Sequence, residues 1–359
     1  MKFGRVYQPS VWGRGMGKNS AINRICVIPN VGGVGGMVSF RGRLVKGMTE
    51  RGISVSFDLR DRPYDAILVI GGTRDLAGIW RTKRRGIPVI QRLDGMNWIH
   101  RKRRTGWRHY LRAEYRNLIL SFIRSRLADH IIYQSEFSHQ WWERVYGKCH
   151  TKWRMVHNGV ELERYTPDGP GERPKEHVRI LLVEGTIGGG YELGLRTAIQ
   201  MGERLHSDYS HEVEVMVVGR VSGNIKQAFN NSSGIPVRFA GQVPIENIPE
   251  LDRSAHVLFA ADLNPACPNS VIEALACGLP VAGFDTGALA EIVTDGSGQL
   301  VSYGGDPWKL EPPDIEGLAK AINRILLDQA SFRNGARKRA EEAFGLDRMV
   351  DGYLDVLIK

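Results

Sequence analysis

The chain has 359 residues, of which 42% are hydrophobic, so it is long enough for two domains and apolar enough to fill their cores. No run reaches the roughly 18 apolar residues of a membrane-spanning helix, and the four cysteines form no CxxC pair that would indicate a zinc site or a disulfide framework. The formal net charge of +10 is unevenly distributed, and a cytoplasmic protein is the default expectation.

The first 22 residues carry four basic side chains and several glycines but no apolar stretch. This composition predicts a flexible leader rather than a secretory signal. A buried strand is predicted over residues 24–29, followed by the glycine-rich stretch 31–37 and a helix. In such an arrangement backbone N–H groups can approach a phosphate. The GK[ST] and GxGxxG patterns are both absent, and a tight turn would use the same glycines.

Alternating strands and helices continue through residues 53–59, 66–70 and 87–91. The alternation predicts an α/β fold with a parallel sheet covered on both faces. Ligands of such sheets gather at the carboxyl ends of the strands, and Asp94 follows one of those ends. Asp94 is therefore a candidate for contacting a substrate hydroxyl, and capping of the following loop is the alternative role.

Between residues 98 and 130, nine basic residues stand against two acidic ones. From Gly106 the pattern is helical, because Arg108, Arg112 and Arg116 recur every four residues beside a separate apolar stripe. Such a helix can lie on an anionic bilayer, gaining ~1 kcal/mol per basic residue close to the surface. A solvated arginine-rich face is the equal alternative. Nucleic acid is a weak candidate, since no zinc-finger or RNP motif accompanies the charge. The stripe consists of Leu111, Tyr115, Leu118 and Phe122, and the nine basic residues are Arg101, Lys102, Arg103, Arg104, Arg108, Arg112, Arg116, Arg124 and Arg126.

The first half is predicted to close with strands at 130–134 and 154–157, on either side of a helix at 136–146. The segment 167–174, PDGPGERP, is rich in Pro and Gly, which predicts a linker. A second α/β unit opens with a strand at 178–183 and the glycine-rich stretch 185–190. Further elements are predicted as strands at 213–218, 237–243 and 256–260 and as helices at 314–327, 331–344 and 346–357.

The stretch 261–293, ADLNPACPNSVIEALACGLPVAGFDTGALAEIV, carries the strongest chemical pattern. It predicts a short helix from Ser270 to Cys277, with Asn269 as N-cap and Gly278 as the C-terminal stop. Glu273 then shares a polar stripe with Asn269 and Ser270. An ionised Glu accepts hydrogen bonds at two oxygens and suits a vicinal diol, and the N–H groups of a helix start suit a phosphate. A solvated helix residue is the alternative for Glu273.

The string PNSVIEALACGLPVAGFDTGALAEIV resembles the nucleotide-sugar site of the family 4 (group 1) retaining glycosyltransferases. YQSEFS at 133–138 and VHNGVE at 156–161 resemble the closing strands of the first domain in the same family. The resemblance implies the GT-B fold, in which two Rossmann-like domains face each other across a cleft and the last helix crosses back to the first domain. It implies a leader at 1–22, an acceptor domain at 23–165, a linker at 166–176, a donor domain at 177–340 and a returning helix at 341–359.

The resemblance also assigns roles to residues. Glu273 would hold the donor ribose beside Asn269 and Ser270, Gly35 and Gly36 would meet the donor phosphates across the cleft, and the backbone of Val243 would face the base. Asp94 would contact a sugar hydroxyl in place of the His common in the family. The family's usual Arg/Lys pair near the diphosphate is missing, and we expect Arg220, Lys226 or the amides around Gly185 to compensate.

A further departure concerns the E-x7-E pair of the family, whose first Glu is Pro265 here. The resemblance implies retaining transfer from a nucleoside diphosphate sugar to a glycan or lipid-linked acceptor, with neither a metal ion nor a cofactor. Peripheral binding at the inner face of the membrane is compatible with the basic segment. Two alternatives stay open: a catalytically weakened binding or scaffold subunit, and a basic surface-binding protein that reuses the fold.

Overall fold

The computed structural model describes residues 24–33, 35–188, 192–294 and 296–358, so the predicted leader lies outside the described residues. Two six-stranded sheets form the framework, one built from the first half of the chain and one from the second. Every strand pair described is parallel, and helices connect most of the successive strands. This is the α/β, two-Rossmann-domain fold that the sequence predicts.

The first sheet has the strand order β2-β1-β3-β4-β5-β6. Its central strand β3 is buried along its whole length, as expected for an apolar run covered by helices on both faces. The strands are β1 (Arg24–Ile28), β2 (Ser54–Ser56), β3 (Ala66–Ile70), β4 (Val89–Leu93), β5 (His130–Tyr133) and β6 (Lys152–Met155), and the helices are α1 (Gly36–Glu50), α2 (Leu76–Lys83), α3 (Trp107–Phe122) and α4 (Glu136–Tyr146). A π-helical turn, Ile123–Leu127, continues α3.

The second sheet has the order β12-β11-β10-β7-β8-β9. Its strands are β7 (Val178–Ile187), β8 (Val213–Val221), β9 (Val237–Gly241), β10 (Val257–Ala260), β11 (Val281–Phe284) and β12 (Gly298–Val301). Its helices are α5 (Glu192–Tyr209), α6 (Gly223–Ser232), α7 (Ile248–Arg253), α8 (Asn269–Ala276), α9 (Leu289–Ile292), α10 (Ile315–Leu327) and α11 (Gln329–Ala343). Because β7 and β10 are neighbours, the residues that follow their carboxyl ends lie on one edge of the sheet.

The last helix, α12 (Leu346–Leu357), returns to the first domain. Tyr353 packs against Phe40 of α1, and Gly47 gives room to Val350 because a Cβ there would collide with that side chain. Arg51, directly after α1, reaches two aspartates on α12, Asp347 at 2.7 Å and Asp351 at 3.0 Å. The core of the first domain therefore includes a helix encoded at the end of the chain.

Residues 166–177 form neither helix nor strand. Arg253 of α7 holds this linker against the second domain, since its guanidinium donates to the carbonyl oxygens of Pro170 and Thr166 at 2.6 and 3.1 Å. The connection is thus fixed to one domain along part of its length.

Candidate active site

A cavity of about 490 Å³ lies between the two sheets. Its walls are formed by residues at strand ends and helix starts of both domains, where the topology places ligands of parallel sheets. Eight of the ten residues predicted from sequence line this one cavity, and they are Gly35, Gly36, Asp94, Gly185, Val243, Asn269, Ser270 and Glu273.

Two helix N-termini meet at the cavity. Helix α1 starts after Gly35 (φ 140°) and α8 starts after Pro268, and neither start has a side-chain cap. The prediction that Asn269 caps α8 is therefore wrong. Its Nδ2 instead donates to the carbonyl oxygen of Gly36 at 3.2 Å, and its Oδ1 accepts from Asn158 at 2.8 Å. Uncapped helix starts leave N–H groups available and favour an anion.

Glu273 lies on the cavity wall but is not solvated, because it is only 6% exposed. Its Oε1 accepts from Nη2 of Arg43 at 2.7 Å, and Nε of Arg43 is 3.2 Å from Oε2 of Glu161. Burial raises the pKa of Glu273, and the charge of Arg43 opposes that rise. No partner of Oε2 of Glu273 is found among the described residues, which leaves one oxygen for a ligand.

The polar stripe expected along α8 is not present. Residues Val271 to Ala276 are all buried, so the helix is enclosed on every side rather than amphipathic. Cys277, which follows the helix, lies beside the buried Asp252, and burial raises the pKa of Asp252 well above its usual range. Only the first turn and Glu273 reach the cavity.

The two cations expected to compensate for the missing Arg/Lys pair lie off the cavity wall. Arg220 donates to Oε1 of Gln242 at 3.2 Å, and Gln242 itself lines the cavity. Lys226 stands over the ring of Phe239, with Nζ 5.7 Å from its centroid. Either side chain would have to change conformation to meet a ligand there.

Arg92 is a cation on the cavity wall that the sequence prediction did not include. It lies near the end of β4 with its side chain 2% exposed, its guanidinium 3.8 Å above the ring centroid of Phe40. Its Nη2 donates to Oδ1 of Asn158 at 3.3 Å, and the amide oxygen of Gln134 also accepts from the guanidinium. The available signal was an arginine within an otherwise buried strand, VIQRL.

Asp94 stands at the boundary between this cavity and a second one of about 720 Å³. Its Oδ2 is 3.8 Å from Nη1 of Arg92, and its carbonyl oxygen accepts from Nε1 of Trp142 at 2.7 Å. Burial raises the pKa of Asp94, while Arg92 opposes the rise. A carboxylate at this boundary can contact groups bound on either side.

Two further acids, Glu184 and Asp262, line the same cavity near the ends of β7 and β10. Burial raises the pKa of Glu184 to about 8 and that of Asp262 to about 7, with each acid close enough to affect the other. Both acids therefore keep protons to a higher pH than ordinary carboxyl groups do. Sequence reasoning missed them because neither belongs to a recognisable motif.

Pro265, which replaces the first Glu of the family pair, also lies on the boundary of the two cavities. Its carbonyl oxygen accepts from the N–H of Ala288 at 2.8 Å, and Gly287 (φ 61°) is packed against it so closely that a Cβ would collide. The residue before it, Asn264, has a φ of 60°. This loop is thus held in a tight turn that brings Pro265 to the site.

A second contact ties the domains together beside the cavity. Glu291 of α9 accepts from the backbone N–H groups of Glu136 and Phe137, at 2.9 and 2.7 Å, at the start of α4. His157 lies 3.5 Å away. Burial would raise the pKa of Glu291, but these donors together lower it. The carboxylate of one domain therefore caps a helix of the other.

The outer face of α3 is apolar and exposed. Trp107 is 69% exposed, Leu111 and Leu118 are each 58% exposed, and Tyr115 and Phe122 are also exposed. At about 100° per residue these five fall on one side of the helix, opposite the buried Ala113 and Asn117. Among the basic residues of this segment, Arg124 is internal and bonds Tyr133, and Arg101 pairs with Glu114 at 2.7 Å. No helix in the described ranges is both long and apolar enough to span a membrane.

Two family models match the chain. The model for glycosyltransferase family 4 matches residues 54–164, and the model for glycosyl transferases group 1 matches residues 179–328. Together they cover most of both domains. The chain belongs to the family 4, group 1 glycosyltransferases.

Among curated relatives, this family 4 chain is 27% identical over 233 residues to the D-inositol 3-phosphate glycosyltransferase of Salinispora arenicola, covering 57% of this chain and 49% of the relative. The match thus spans about half the length of that relative. A sucrose-phosphate synthase from Thermosynechococcus elongatus aligns with a TM-score of 0.70 at 17% identity, covering 93% of this chain and 98% of the other. Anabaena HepE in complex with UDP and glucose aligns with a TM-score of 0.70 at 15% identity over 93% and 99%. At these identities the structural likeness concerns the fold.

Proposed function

We propose that this chain transfers a glycosyl group from a nucleoside diphosphate sugar to a hydroxyl acceptor, a glycan or a lipid-linked glycan at a membrane surface. One observation carries the proposal: Glu273 of one domain and the glycine start of α1 from the other line the same interdomain cavity. A cavity of about 490 Å³ is within the usual range for small-molecule sites. A solved relative of this fold was crystallised with UDP and glucose.

In the proposed complex the free oxygen of Glu273 accepts from the ribose diol. The diphosphate lies against the uncapped starts of α1 and α8, whose N–H groups and dipoles favour negative charge. The base faces Gln242 and Val243 after β9. Among the described residues that line this cavity, Arg92 is the one arginine. It lies toward Asp94, on the side where the transferred sugar would sit.

The reaction is proposed to retain the configuration at the anomeric carbon. The bond from the anomeric carbon to the phosphate oxygen breaks, the acceptor oxygen forms the new bond on the same face, and the departing phosphate oxygen takes the acceptor proton. Asp94 orients the acceptor hydroxyl at the boundary of the two cavities. Catalysis then rests on positioning and on N–H groups directed at the developing phosphate charge. Transfer without a metal ion stays a prediction.

The membrane part of the proposal rests on α3. An exposed apolar side of five large residues has Arg108 and Arg112 beside it, and these arginines have no acidic partner in the described part of the chain. Aromatic and leucine side chains can enter the interfacial region while arginines attract anionic lipids. The occupant that fits this combination is an anionic bilayer surface.

The donor site is tested with a panel of nucleoside diphosphate sugars in a thermal-shift assay. A ligand at about 100 times its Kd stabilises the folded state by ~2.7 kcal/mol. Glu273→Gln, which keeps an oxygen for Arg43, should lower donor affinity at least tenfold, while the exposed Glu316→Gln on α10 should not. Transfer or donor hydrolysis is then measured with the donor that binds. If no nucleotide sugar stabilises the wild type, the proposal is wrong.

A scaffold subunit without catalytic power is the second candidate. The Pro265 substitution and the absence of Arg220 and Lys226 from the cavity wall favour it. Donor binding that depends on Glu273, without hydrolysis or transfer to any acceptor, would support this candidate over the enzyme.

A further inference from the structure

The second cavity adjoins the donor cavity and has about 720 Å³. The two share Met37, Asp94, Asp262, Pro265 and Ala266 on their walls. A molecule bound in the second cavity therefore reaches Asp94 from the side opposite to the donor. Under the proposed function, this is where the acceptor binds.

Two arginines lie on the wall of this second cavity. Arg74 comes from the loop between β3 and α2, and Arg116 comes from α3. Both are exposed, and neither has an acidic partner among the residues described. By contrast, Arg101 nearby is neutralised by Glu114. Two unpaired guanidinium groups that approach one cavity from separate elements are suited to a phosphate.

The acids of the second cavity lie on the wall that it shares with the donor cavity, and neither Arg74 nor Arg116 belongs to that shared wall. They are Asp94 and Asp262, and burial raises the pKa of each. The positive charge of the cavity is thus separated from its acids. A ligand that is anionic at one end and carries a hydroxyl at the other matches this separation.

The remaining wall is mostly apolar and rigid. Trp98 and Trp141 both pack against Trp308, with ring centroids 5.1 and 5.0 Å apart. Both contacts are edge-to-face, with interplanar angles of 64° and 62°, so the three rings hold one another in place. Asn264, which is 5% exposed, also lines this cavity, and its Nδ2 has no hydrogen-bond partner among the residues that the structure describes.

We infer that the acceptor carries a phosphate group, which Arg74 and Arg116 bind while the acceptor hydroxyl faces Asp94. This inference rests on the proposed function and names the chemical class of its acceptor. The phosphate can belong to a soluble sugar phosphate or to a lipid headgroup. Helix α3 favours the second source, because Arg116 lies on the same helix as the exposed apolar face.

The test uses full-length protein loaded with the nucleoside diphosphate that stabilises it most, so that the donor site is filled. Glycerol 3-phosphate is the soluble probe, with glycerol as its neutral match. Vesicles of phosphatidylcholine with phosphatidic acid are the lipid probe, and vesicles of pure phosphatidylcholine are the neutral match for this probe. Binding is measured by thermal shift for the soluble probe and by co-sedimentation for the vesicles.

Arg74→Gln and Arg116→Gln should each weaken binding of at least one phosphate probe about tenfold. Arg108→Gln, on α3 but away from the cavity, is the matched control and should leave glycerol 3-phosphate binding unchanged. Arg108 lies beside the apolar face that is proposed to meet the bilayer, whereas Arg116 lies on the cavity wall. A loss for Arg116→Gln in the vesicle arm that exceeds the loss for Arg108→Gln therefore identifies the cavity as the lipid phosphate site.

The inference is overturned if neither probe binds in a phosphate-dependent way, or if both cavity variants behave like Arg108→Gln. These outcomes differ from failure of the proposed function. If the proposed function fails, the wild type does not bind a nucleoside diphosphate. If only the inference on the acceptor fails, the wild type and all three variants still bind the nucleoside diphosphate equally.

Discussion

Arg43 in the first domain and Glu273 in the second form a buried ion pair, with Nη2 of one 2.7 Å from Oε1 of the other. Glu161, just before the linker, shares the same guanidinium. The carboxylate proposed to hold the donor ribose is therefore also a contact between the domains. Donor binding and the closed arrangement of the two halves are coupled through one side chain.

Arg43→Met should destabilise the fold and weaken donor binding. Removing one partner of a buried pair leaves the other charge uncompensated and costs about 3–5 kcal/mol. Lys46→Met is the control, because Lys46 is half-exposed and lies 3.4 Å from Glu161. An exposed ion pair of this kind contributes at most ~1 kcal/mol to stability. Chemical denaturation gives the stabilities, and a double-mutant cycle with Glu273→Gln isolates the pair. Equal effects of Arg43→Met and Lys46→Met would contradict the assignment.

Glu291→Gln should loosen the contact between the domains. The change removes a negative charge from the two N–H groups at the start of α4, and such a charge at a helix N-terminus contributes about 0.3–1 kcal/mol, or up to about 2 kcal/mol when partly buried. We expect a larger radius of gyration in small-angle scattering without donor, and recovery when donor is added. Glu341→Gln, on the exposed side of α11, should change neither. A scattering profile identical to wild type would show that Glu291 does not hold the domains.

Binding of a nucleoside diphosphate should weaken as the pH rises from about 7 to 9. Glu184 and Asp262 have raised pKa values of about 8 and about 7, so their protonated fractions at pH 7 are lost as the pH rises through this range and both acids become negative. Each new charge then repels the diphosphate and should lower the affinity of order tenfold, which corresponds to ~1.4 kcal/mol of binding free energy. Titration calorimetry at several pH values across this range measures the Kd of the nucleoside diphosphate.

The double variant Glu184→Gln with Asp262→Asn should flatten that pH dependence, since its amides stay neutral. Glu316→Gln should keep the wild-type profile. If the double variant kept the full loss of affinity above pH 8, another group would be responsible.

Replacing Leu111 and Leu118 by Ser should abolish binding to anionic vesicles without changing the melting temperature. Both side chains are exposed, so their removal does not open a cavity in the core. Co-sedimentation with vesicles containing phosphatidylserine measures the effect, and reversal of Arg108 and Arg112 to Glu should produce a similar loss. If the wild type does not bind the vesicles, or if both variants bind them as the wild type does, the proposal that α3 binds a membrane surface is wrong.

Regular elements were predictable where the local pattern decides them. Strand β3 at 66–70 and helix α4 at 136–146 occupy the predicted residues, and the stop of α8 before Gly278 (φ 66°) follows from a conformation that glycine adopts most easily. Strand β6 lies two residues earlier than predicted, at Lys152–Met155. Its exposed residues give little periodic signal.

Contacts between distant segments were not predictable from one sequence. Arg43 and Glu273 are 230 residues apart, and nothing in the local pattern around either residue indicates the other. Asn269 has the composition of an N-cap, but a neighbouring domain offered its amide better partners. The apolar stripe of α3 was visible in the sequence, but periodicity does not say whether such a stripe meets a core or solvent.

The return of α12 to the first domain means that the two halves are not independent modules. A fragment ending at the linker would lack Tyr353, Val350 and their neighbours and would leave the apolar side of α1 uncovered. Such a fragment should aggregate when expressed alone. A chimaera with a relative must therefore keep the first domain and α12 from the same protein. Only the donor domain between them can be exchanged.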